Sequence, residues 1–272
     1  MLGGHKNQGY TIVETMIFLA ISGLMFVMAA VFVSGKQSTA EFRQGMNDIN
    51  SNLQQVINDV GNGFYPSNSS FTCSSSGSDL LFSSNTSTTQ GANIGCVFLG
   101  KVVQFGAGSD PANYYVYSLA GTQLTTAKTT PANFGEAVPR VIYTPDLTDK
   151  KVLQWGVQAT AMYDNDGTTP ISAIGFFGSF GGGLQSGSQV VNVVAVNPGT
   201  SVTDASSNAE PTMVGTINAG VSDSHVRTHP NIRICFKGSS NQYGSVIIGG
   251  GNGQKLTTAM QISTTSLGGC PA

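Results

Sequence analysis

GYTIVETMIFLAISGLMFVMAAVFV, residues 9–33, is the stretch of sequence that decides the fold. As a helix with a rise of about 1.5 Å per residue, the apolar segment Ile12–Val33 is roughly 33 Å long, enough to cross a hydrocarbon core of about 30 Å. Glu14 is its only charged residue. Because a carboxylate inside a membrane costs free energy, it is usually retained for a partner or a function. The sequence therefore predicts a membrane helix whose one carboxylate needs a partner.

The residues around Glu14 resemble the N-terminus of type IV pilins and type II secretion pseudopilins. In that superfamily a short polar leader ends in Gly, a dedicated peptidase cuts after it, the new first residue is N-methylated, and the fifth mature residue is Glu. The same register here gives a leader over residues 1–9, a cut between Gly9 and Tyr10, and Glu14 as the fifth residue. The resemblance assigns processing to Gly9 and Tyr10, and assembly to Tyr10 and Glu14. The free amine of Tyr10 and the Glu14 carboxylate of a neighbouring subunit are expected to neutralise each other in an apolar bundle, and this pairing would select the axial stagger between subunits.

The resemblance implies a structural filament subunit, a minor pilin or pseudopilin, that polymerises through its N-terminal helix. Its implied partners are other pilin subunits, the prepilin peptidase and methylase, the membrane and an inner-membrane assembly platform. Its implied location is the cytoplasmic (inner) membrane, single-pass with the head outside, and then a cell-surface or periplasmic filament. The alternative is a single-pass membrane-anchored adhesin or binding domain that never polymerises. The choice among pilus, secretion and DNA-uptake systems stays open.

An ordinary secretory signal has an apolar core of about 7–15 residues and a small-residue cleavage site. The apolar segment is longer than that and carries Glu14 near its beginning. The sequence therefore favours a retained helix over a removed signal peptide.

After Val33 the pattern becomes amphipathic, which predicts that the membrane half of the helix, residues 10–33, is followed by an amphipathic half, residues 34–62. The helix itself is predicted from about Tyr10 to Val60. The apolar positions recur every three or four residues: Phe42, Met46, Ile49, Leu53, Val56 and Val60. The glycines at 61 and 63 predict the end of the helix. Gly35 and Gly45 are predicted soft points, because glycine in a helix interior costs about 1 kcal/mol relative to alanine.

Residues 63–272 read as a β-rich extracytoplasmic head, because short apolar runs alternate with Gly, Ser, Asn and Pro clusters. The predicted class is α+β, a long helix packed on antiparallel sheets. The predicted hairpin from Asn231 to Ile248 resembles, more weakly, that of minor pseudopilins of the GspH/FimT type. The predicted strands cover residues 79–83, 96–105, 114–119, 140–143, 153–163, 171–177, 189–196, 231–236, 244–248 and 260–263.

Composition excludes one class of partner. Charged residues make up 10% of the 272 residues and the formal net charge is -2. Lys and Arg are scattered without an aromatic-interleaved basic cluster, so no direct nucleic-acid binding is expected.

Four cysteines follow the apolar segment: Cys73, Cys96, Cys235 and Cys270. Their spacing does not match a zinc site, and an even number in an exported domain favours disulfides. Four cysteines allow three connectivities, of which Cys73 with Cys96 and Cys235 with Cys270 is preferred, because each bridge then closes one local loop. The alternative is four free buried thiols.

No catalytic constellation is evident, so the sequence predicts neither an enzyme nor a cofactor. His225 and His229 read as a solvated loop rather than a metal pair, because Pro230 follows them. Asp164 and Asp166 fit either the beginning of a calcium loop or an ordinary Asp-Gly turn. Glycosylation at the two Asn-x-Ser/Thr sequons stays open. Several aromatic residues fit either an exposed adhesive patch or the core: Tyr114, Tyr115, Tyr117, Phe176, Phe177 and Phe180.

Overall fold

A computed structural model of the chain contains one helix followed by thirteen β-strands within the residues that it describes. The expected α+β class is confirmed, since the long helix packs against antiparallel sheets. The chain divides into two compact units, Met1–Glu41 and Phe42–Ala272. Only the backbone is described for 33–35, 71–76, 79–84 and 226–227. The described residues are 11–63, 71–76, 79–84, 96–106, 110–124, 129, 131–142, 148–164, 167, 169–178, 191–196, 226–227, 230–239, 241–250 and 255–270.

Helix α1 spans Ile12–Gly61, close to the predicted span of residues 10–60. Its end has the predicted chemistry: Gly63 has a φ of +64°, and its N–H donates to the Val60 carbonyl at 3.1 Å. A glycine in the left-handed region ends a helix without a Cβ penalty. The predicted stop at 61–63 is therefore confirmed.

The strands are β1 Phe71–Ser76, β2 Asp79–Ser84, β3 Cys96–Phe105, β4 Asn113–Thr122, β5 Arg140–Ile142, β6 Thr148–Val152, β7 Gln158–Tyr163, β8 Ala173–Gly178, β9 Val191–Val196, β10 Val226–Arg227, β11 Asn231–Lys237, β12 Tyr243–Gly249 and β13 Thr257–Ser263. Seven strands form one sheet in the order β10-β9-β8-β3-β4-β5, with β6 also paired to β4. Four form a second sheet in the order β13-β12-β11-β7, and β1 pairs with β2. Every strand pairing in these sheets is antiparallel.

The second unit is built around the apolar stripe that the sequence predicted on α1. All six predicted positions are buried and belong to one core that includes both larger sheets. Val103 and Phe176 come from the seven-stranded sheet, and Phe236 comes from the four-stranded sheet. Because each buried large apolar side chain contributes about 1.5–3 kcal/mol, this part of α1 is a central element of the head.

Polar contacts fix the same part of α1 to both larger sheets. The Lys101 ammonium on β3 lies 2.6 Å from the Asp59 carboxylate, and both side chains are partly buried. The Gln54 amide donates to the Thr258 hydroxyl on β13 at 3.0 Å. These contacts orient the helix on the sheets, while the apolar stripe supplies most of the buried area.

Strand β4 separates two cores, because its side chains alternate between the two faces of the sheet. Tyr114 faces the core that contains α1, whereas Tyr115 faces a second core on the opposite face. Five of the six aromatic residues that the sequence offered as an adhesive patch lie in the core instead. The sixth, Phe180, lies outside the described residues. Those found buried are Tyr114, Tyr115, Tyr117, Phe176 and Phe177.

Gly45 is not a soft point, contrary to the sequence prediction. A Cβ there would lie 2.6 Å from Val157 Cγ2 and 3.0 Å from the Gln154 carbonyl oxygen. Glycine lets the helix backbone approach the turn after β6. Gly35 also lies within α1 and does not interrupt the helix.

The single predicted strand over residues 153–163 is wrong, because a turn separates β6 from β7. Trp155 and Gly156 both have positive φ, +61° and +69°, and the Val157 N–H donates to the Gln154 carbonyl at 3.3 Å. Positive φ at both central residues is the type I′ geometry. The prediction also missed β6 because its five residues, TDKKV, include three charges.

The predicted disulfide between Cys235 and Cys270 is present, with a Cα–Cα distance of 5.7 Å across 35 residues of sequence. The Arg233 guanidinium donates to the Gly268 carbonyl, so the C-terminal segment contacts β11 at a second point. Cys96 is also disulfide-bonded. Because the side chain of Cys73 lies outside the described part of the chain, its pairing with Cys96 stays a prediction.

The double variant C235S/C270S is expected to lower the free energy of unfolding by about 3–4 kcal/mol, because the crosslink restricts a 35-residue loop in the unfolded chain. Urea unfolding of the detergent-extracted chain, followed by the fluorescence of its one tryptophan, measures the change. Ser266→Ala is the control, because it alters an exposed residue of the same segment without opening the loop. Equal stability of C235S/C270S and the unmodified chain would contradict the loop-entropy account.

Tyr114 gives the head a specific sensitivity to alkali. Burial, and secondly the Asp149 carboxylate, raise the pKa of Tyr114 to about 12, and its hydroxyl has no hydrogen-bond partner among the described residues. Since tyrosine in the unfolded chain has a pKa of about 10, the folded chain keeps a proton that the unfolded chain loses between pH 10 and 12. This contribution to the free energy of unfolding is complete below about pH 10 and falls above it, by up to about 1.4 kcal/mol per pH unit. Urea unfolding at a series of pH values above 10 measures this decline, and Tyr114→Phe should make the free energy of unfolding fall less steeply with pH. An unchanged dependence on pH in Tyr114→Phe would refute the assignment to Tyr114.

Candidate functional site

The side chains of the apolar segment are not covered by any of the residues that the structure describes. Every described side chain from Thr11 to Phe32 is exposed. Ile12 and Phe32 are 78% and 69% exposed, although they lie on nearly opposite sides of the helix. This one helix is long and apolar enough to span a membrane. So large a contiguous apolar surface is rare on a soluble protein and is typical of a segment that contacts a membrane or another protein.

The hydroxyl groups within the apolar segment are satisfied by its own backbone. The Thr15 hydroxyl donates to the Ile12 carbonyl at 2.8 Å, and the Ser22 hydroxyl donates to the Leu19 carbonyl at 3.0 Å. Such local bonds let a polar side chain lie in an apolar environment without an external partner. Glu14 differs, because among the described residues no cation lies within ion-pair distance of its carboxylate. Among the described residues, Glu14 is therefore the charged group of this segment that has no ion-pair partner.

The first turn of α1 positions Glu14 by an N-cap. The Thr11 hydroxyl oxygen accepts a hydrogen bond from the Glu14 backbone N–H at 3.3 Å, and the Thr15 N–H donates to the Thr11 carbonyl at 3.2 Å. Thr11 and Glu14 thus occupy the N-cap and N3 positions of a capping-box sequence, a signal that the sequence analysis missed. The carboxylate also lies at the end of the helix where the backbone dipole favours negative charge. The cap places Glu14 on the first helical turn.

Two members of the predicted site lie outside the described residues. Gly9 and Tyr10, assigned to processing, precede Thr11, the first residue whose structure is described. The distance between the Tyr10 amine and the Glu14 carboxylate therefore lies outside the described structure. The processing and assembly assignments of Gly9, Tyr10 and Glu14 stay predictions.

Polar residues resume at the C-terminal end of the apolar segment. The Lys36 ammonium lies 5.6 Å from the centroid of the Phe32 ring, a cation–π distance. The amide of the next residue, Gln37, donates to the Glu41 carboxylate one turn further along the helix at 2.9 Å. Charged residues directly after an apolar helix are typical of a membrane–water boundary, where long side chains reach the polar layer.

The candidate calcium segment forms a backbone turn at the residues that the structure describes. The Gly167 N–H donates to the Asp164 carbonyl at 2.8 Å, and Gly167 has a φ of +69°. This geometry fits the Asp-Gly turn that the sequence also predicted. Asp166, the other calcium candidate, lies outside the described residues, as do His225 and His229. Within the part of the chain that is described, no three His, Cys, Asp or Glu side chains group together as metal ligands.

In comparisons with known proteins, no family model, no curated protein and no solved structure matches the chain.

Proposed function

We propose that this chain is a pilin-type filament subunit, held in a membrane by its apolar segment before it assembles with other subunits through the same helix. The observation that carries the proposal is an apolar segment of membrane length, whose described side chains are all exposed and whose capped first turn carries one carboxylate. The residues around that carboxylate match the prepilin register.

Energetics favour two successive environments for the apolar segment. In a bilayer its exposed side chains contact lipid, and the Glu14 carboxylate lies near one end, where the cost of a charge is lower than at the centre. In a bundle of identical helices, the carboxylate can pair with the free amine that cleavage before Tyr10 creates. A buried charge without its partner costs several kcal/mol, so the pairing favours the correct axial offset between neighbours. One helix can thus serve both as an anchor and as an assembly surface.

The Cys235–Cys270 disulfide supports an extracytoplasmic location for the head. Disulfides persist in oxidising compartments and are rare in the cytosol. With a head outside and a single spanning helix, the residues before Tyr10 lie on the cytoplasmic side, where the leader would be removed. This topology agrees with a processed subunit of an inner-membrane filament system.

Intact mass and N-terminal peptide mapping of the membrane-extracted chain, with and without reducing agent, test the proposal. A chain that begins at N-methylated Tyr10 and gains four hydrogens on reduction supports a processed, outward-facing subunit. A chain that still begins at Met1 would favour the alternative, a permanently anchored surface-binding protein. A chain that begins beyond Val33 would identify a secreted domain and overturn both interpretations.

Gly9→Leu is expected to leave most of the precursor uncut, because the proposed peptidase accepts a glycine at the residue before the cut. Gly4→Leu is the matched control, since it changes another glycine of the same leader and should leave cleavage intact. Gel mobility and N-terminal mapping of the two variants give the cleaved fractions. Equal cleavage of both variants would remove Gly9 from the processing site.

A further inference from the structure

The edges of the two larger sheets differ in how they are protected. Strand β6, which borders β4, carries Asp149, Lys150 and Lys151 in five residues. Strand β7 is one edge strand of the four-stranded sheet. Its Ala159 N–H donates to the Pro111 carbonyl, and its Met162 carbonyl accepts from the Ile171 N–H. Charges and local contacts of this kind prevent a sheet edge from pairing with another chain.

Strand β13 has neither kind of protection. It lies at the other end of the four-stranded sheet and pairs with β12 along all seven residues, without a bulge. Its sequence, TTAMQIS, has no charge and no proline. Beyond the β12 ladder, the described residues provide no backbone partner for β13. A regular, neutral edge of this length is a template for an additional strand.

The side chains of β13 alternate between an exposed face and a face that packs against the core. Thr257, Ala259 and Gln261 are exposed on one face. Met260 and Ile262 on the other face are partly buried and pack against the core. The register of β13 is therefore fixed by the core, and its outer edge is presented in one defined alignment.

We propose that β13 pairs with β13 of a second copy of this chain, in an antiparallel arrangement centred on Met260. This register places Ala259 opposite Gln261, and Thr257 opposite Ser263, so that no like charges meet and no proline interrupts the ladder. Among the described edges of the two larger sheets, β13 alone lacks charges and blocking contacts, so within these sheets its best-matched partner in another copy is itself. A two-fold contact of this kind closes at two copies. It describes a dimer of unassembled chains and does not rest on the proposed filament function.

Heterotypic disulfide crosslinking tests the register. Two differently tagged copies, one with Ala259→Cys and one with Gln261→Cys, place the new thiols on directly opposed residues, about 4.5–5.5 Å apart at Cα. The matched control combines Thr257→Cys with Gln261→Cys, an equally exposed pair displaced by two residues and about 8 Å apart. Since disulfides rarely form across more than about 7 Å, the first pair should crosslink at least about tenfold more than the control. Equal yields, or no crosslink in the first pair, would overturn the proposal.

Charge exchange at the same two exposed positions tests the contact without thiols. A259K/Q261K places lysines opposite each other at both symmetry-related pairs, whereas A259K/Q261E places unlike charges there. The detergent-extracted full chain should lose most of its dimer with the first variant, by at least about fivefold, and keep it with the second. Equal dimer fractions in both variants would refute β13 as the contact. Glu14→Ala should leave the crosslink unchanged, so a failure of the filament proposal is distinguishable from a failure of this one.

Discussion

Glu14→Ala is expected to abolish incorporation into a filament while the chain remains in the membrane. In the proposed bundle the Glu14 carboxylate neutralises the N-terminal amine of a neighbour, and removing one partner leaves the other charge buried and unpaired. That loss costs about 3–5 kcal/mol, which lowers the equilibrium constant for subunit addition by roughly 10²–10⁴-fold. Membrane insertion should be unchanged or improved, because the variant no longer carries a charge into the hydrocarbon. Fractionation of membranes and sheared filaments, with detection of the head, measures both effects.

Three further variants separate the charge of Glu14 from its position. Glu14→Asp keeps the carboxylate and should retain part of the assembly, whereas Glu14→Gln keeps the size but loses the charge and should fail like Glu14→Ala. Thr15→Ala is the matched neighbour, because the Thr15 hydroxyl bonds only within its own helix in the described structure. Normal filament incorporation of Glu14→Gln would exclude the ion pair as the reason for the carboxylate.

The helical part of the fold could be predicted because its signals are local. A membrane-length apolar run, a stripe with helical spacing and a glycine stop each depend on neighbouring residues, and the structure places α1 over Ile12–Gly61. The buried strands β3, β4 and β11 were also found, because their apolar residues are contiguous. Strand β6 was missed since its charges belong to a sheet edge, a tertiary circumstance that periodicity does not encode.

Gly45 and Trp155 mark where local propensity gave the wrong answer. Glycine in a helix indicates weakness by propensity alone, yet Gly45 is buried where the turn after β6 approaches the helix. Trp155 lies in the left-handed region within that turn, a conformation that its residue type disfavours. Its indole N–H donates to Asp48 on the same helix at 3.3 Å. Both features arise from a contact between residues about a hundred positions apart, which the sequence pattern cannot show.

The candidate site likewise combines local features, which the sequence shows, with features that depend on distant contacts. The carboxylate at Glu14 and its apolar surroundings could be found from sequence, because an isolated charge in a long apolar run is a local anomaly. The partner of that carboxylate, the Tyr10 amine of another chain, was indicated only by the resemblance to pilins, because no local pattern shows a contact between two chains. The unprotected edge at β13 was equally hidden, since a neutral strand is identified as an edge only after its neighbours in the sheet are known.

Phe42→Ala is expected to destabilise the head by about 3–5 kcal/mol, the usual cost of truncating a fully buried phenylalanine. Its ring is 1% exposed, and Cβ atoms added at Gly238 and Gly244 would lie 2.6 Å and 3.2 Å from it. Those glycines leave the space that the ring fills, so its loss creates a cavity between α1 and the four-stranded sheet. Urea unfolding of the detergent-extracted chain, followed by near-UV circular dichroism, measures the change.

Phe26→Ala is the matched control, because it removes the same side chain from the same helix at a position that is 75% exposed. The head should then unfold at an unchanged urea concentration, while the affinity of the segment for lipid falls slightly, since less apolar area is buried in the bilayer. Opposite outcomes for two phenylalanines of one helix follow only if the helix has two separate roles, a core element from Phe42 onward and a lipid-facing surface before it. Equal destabilisation by both variants would mean that the apolar segment also stabilises the head, and the division of α1 into anchor and core element would then be wrong.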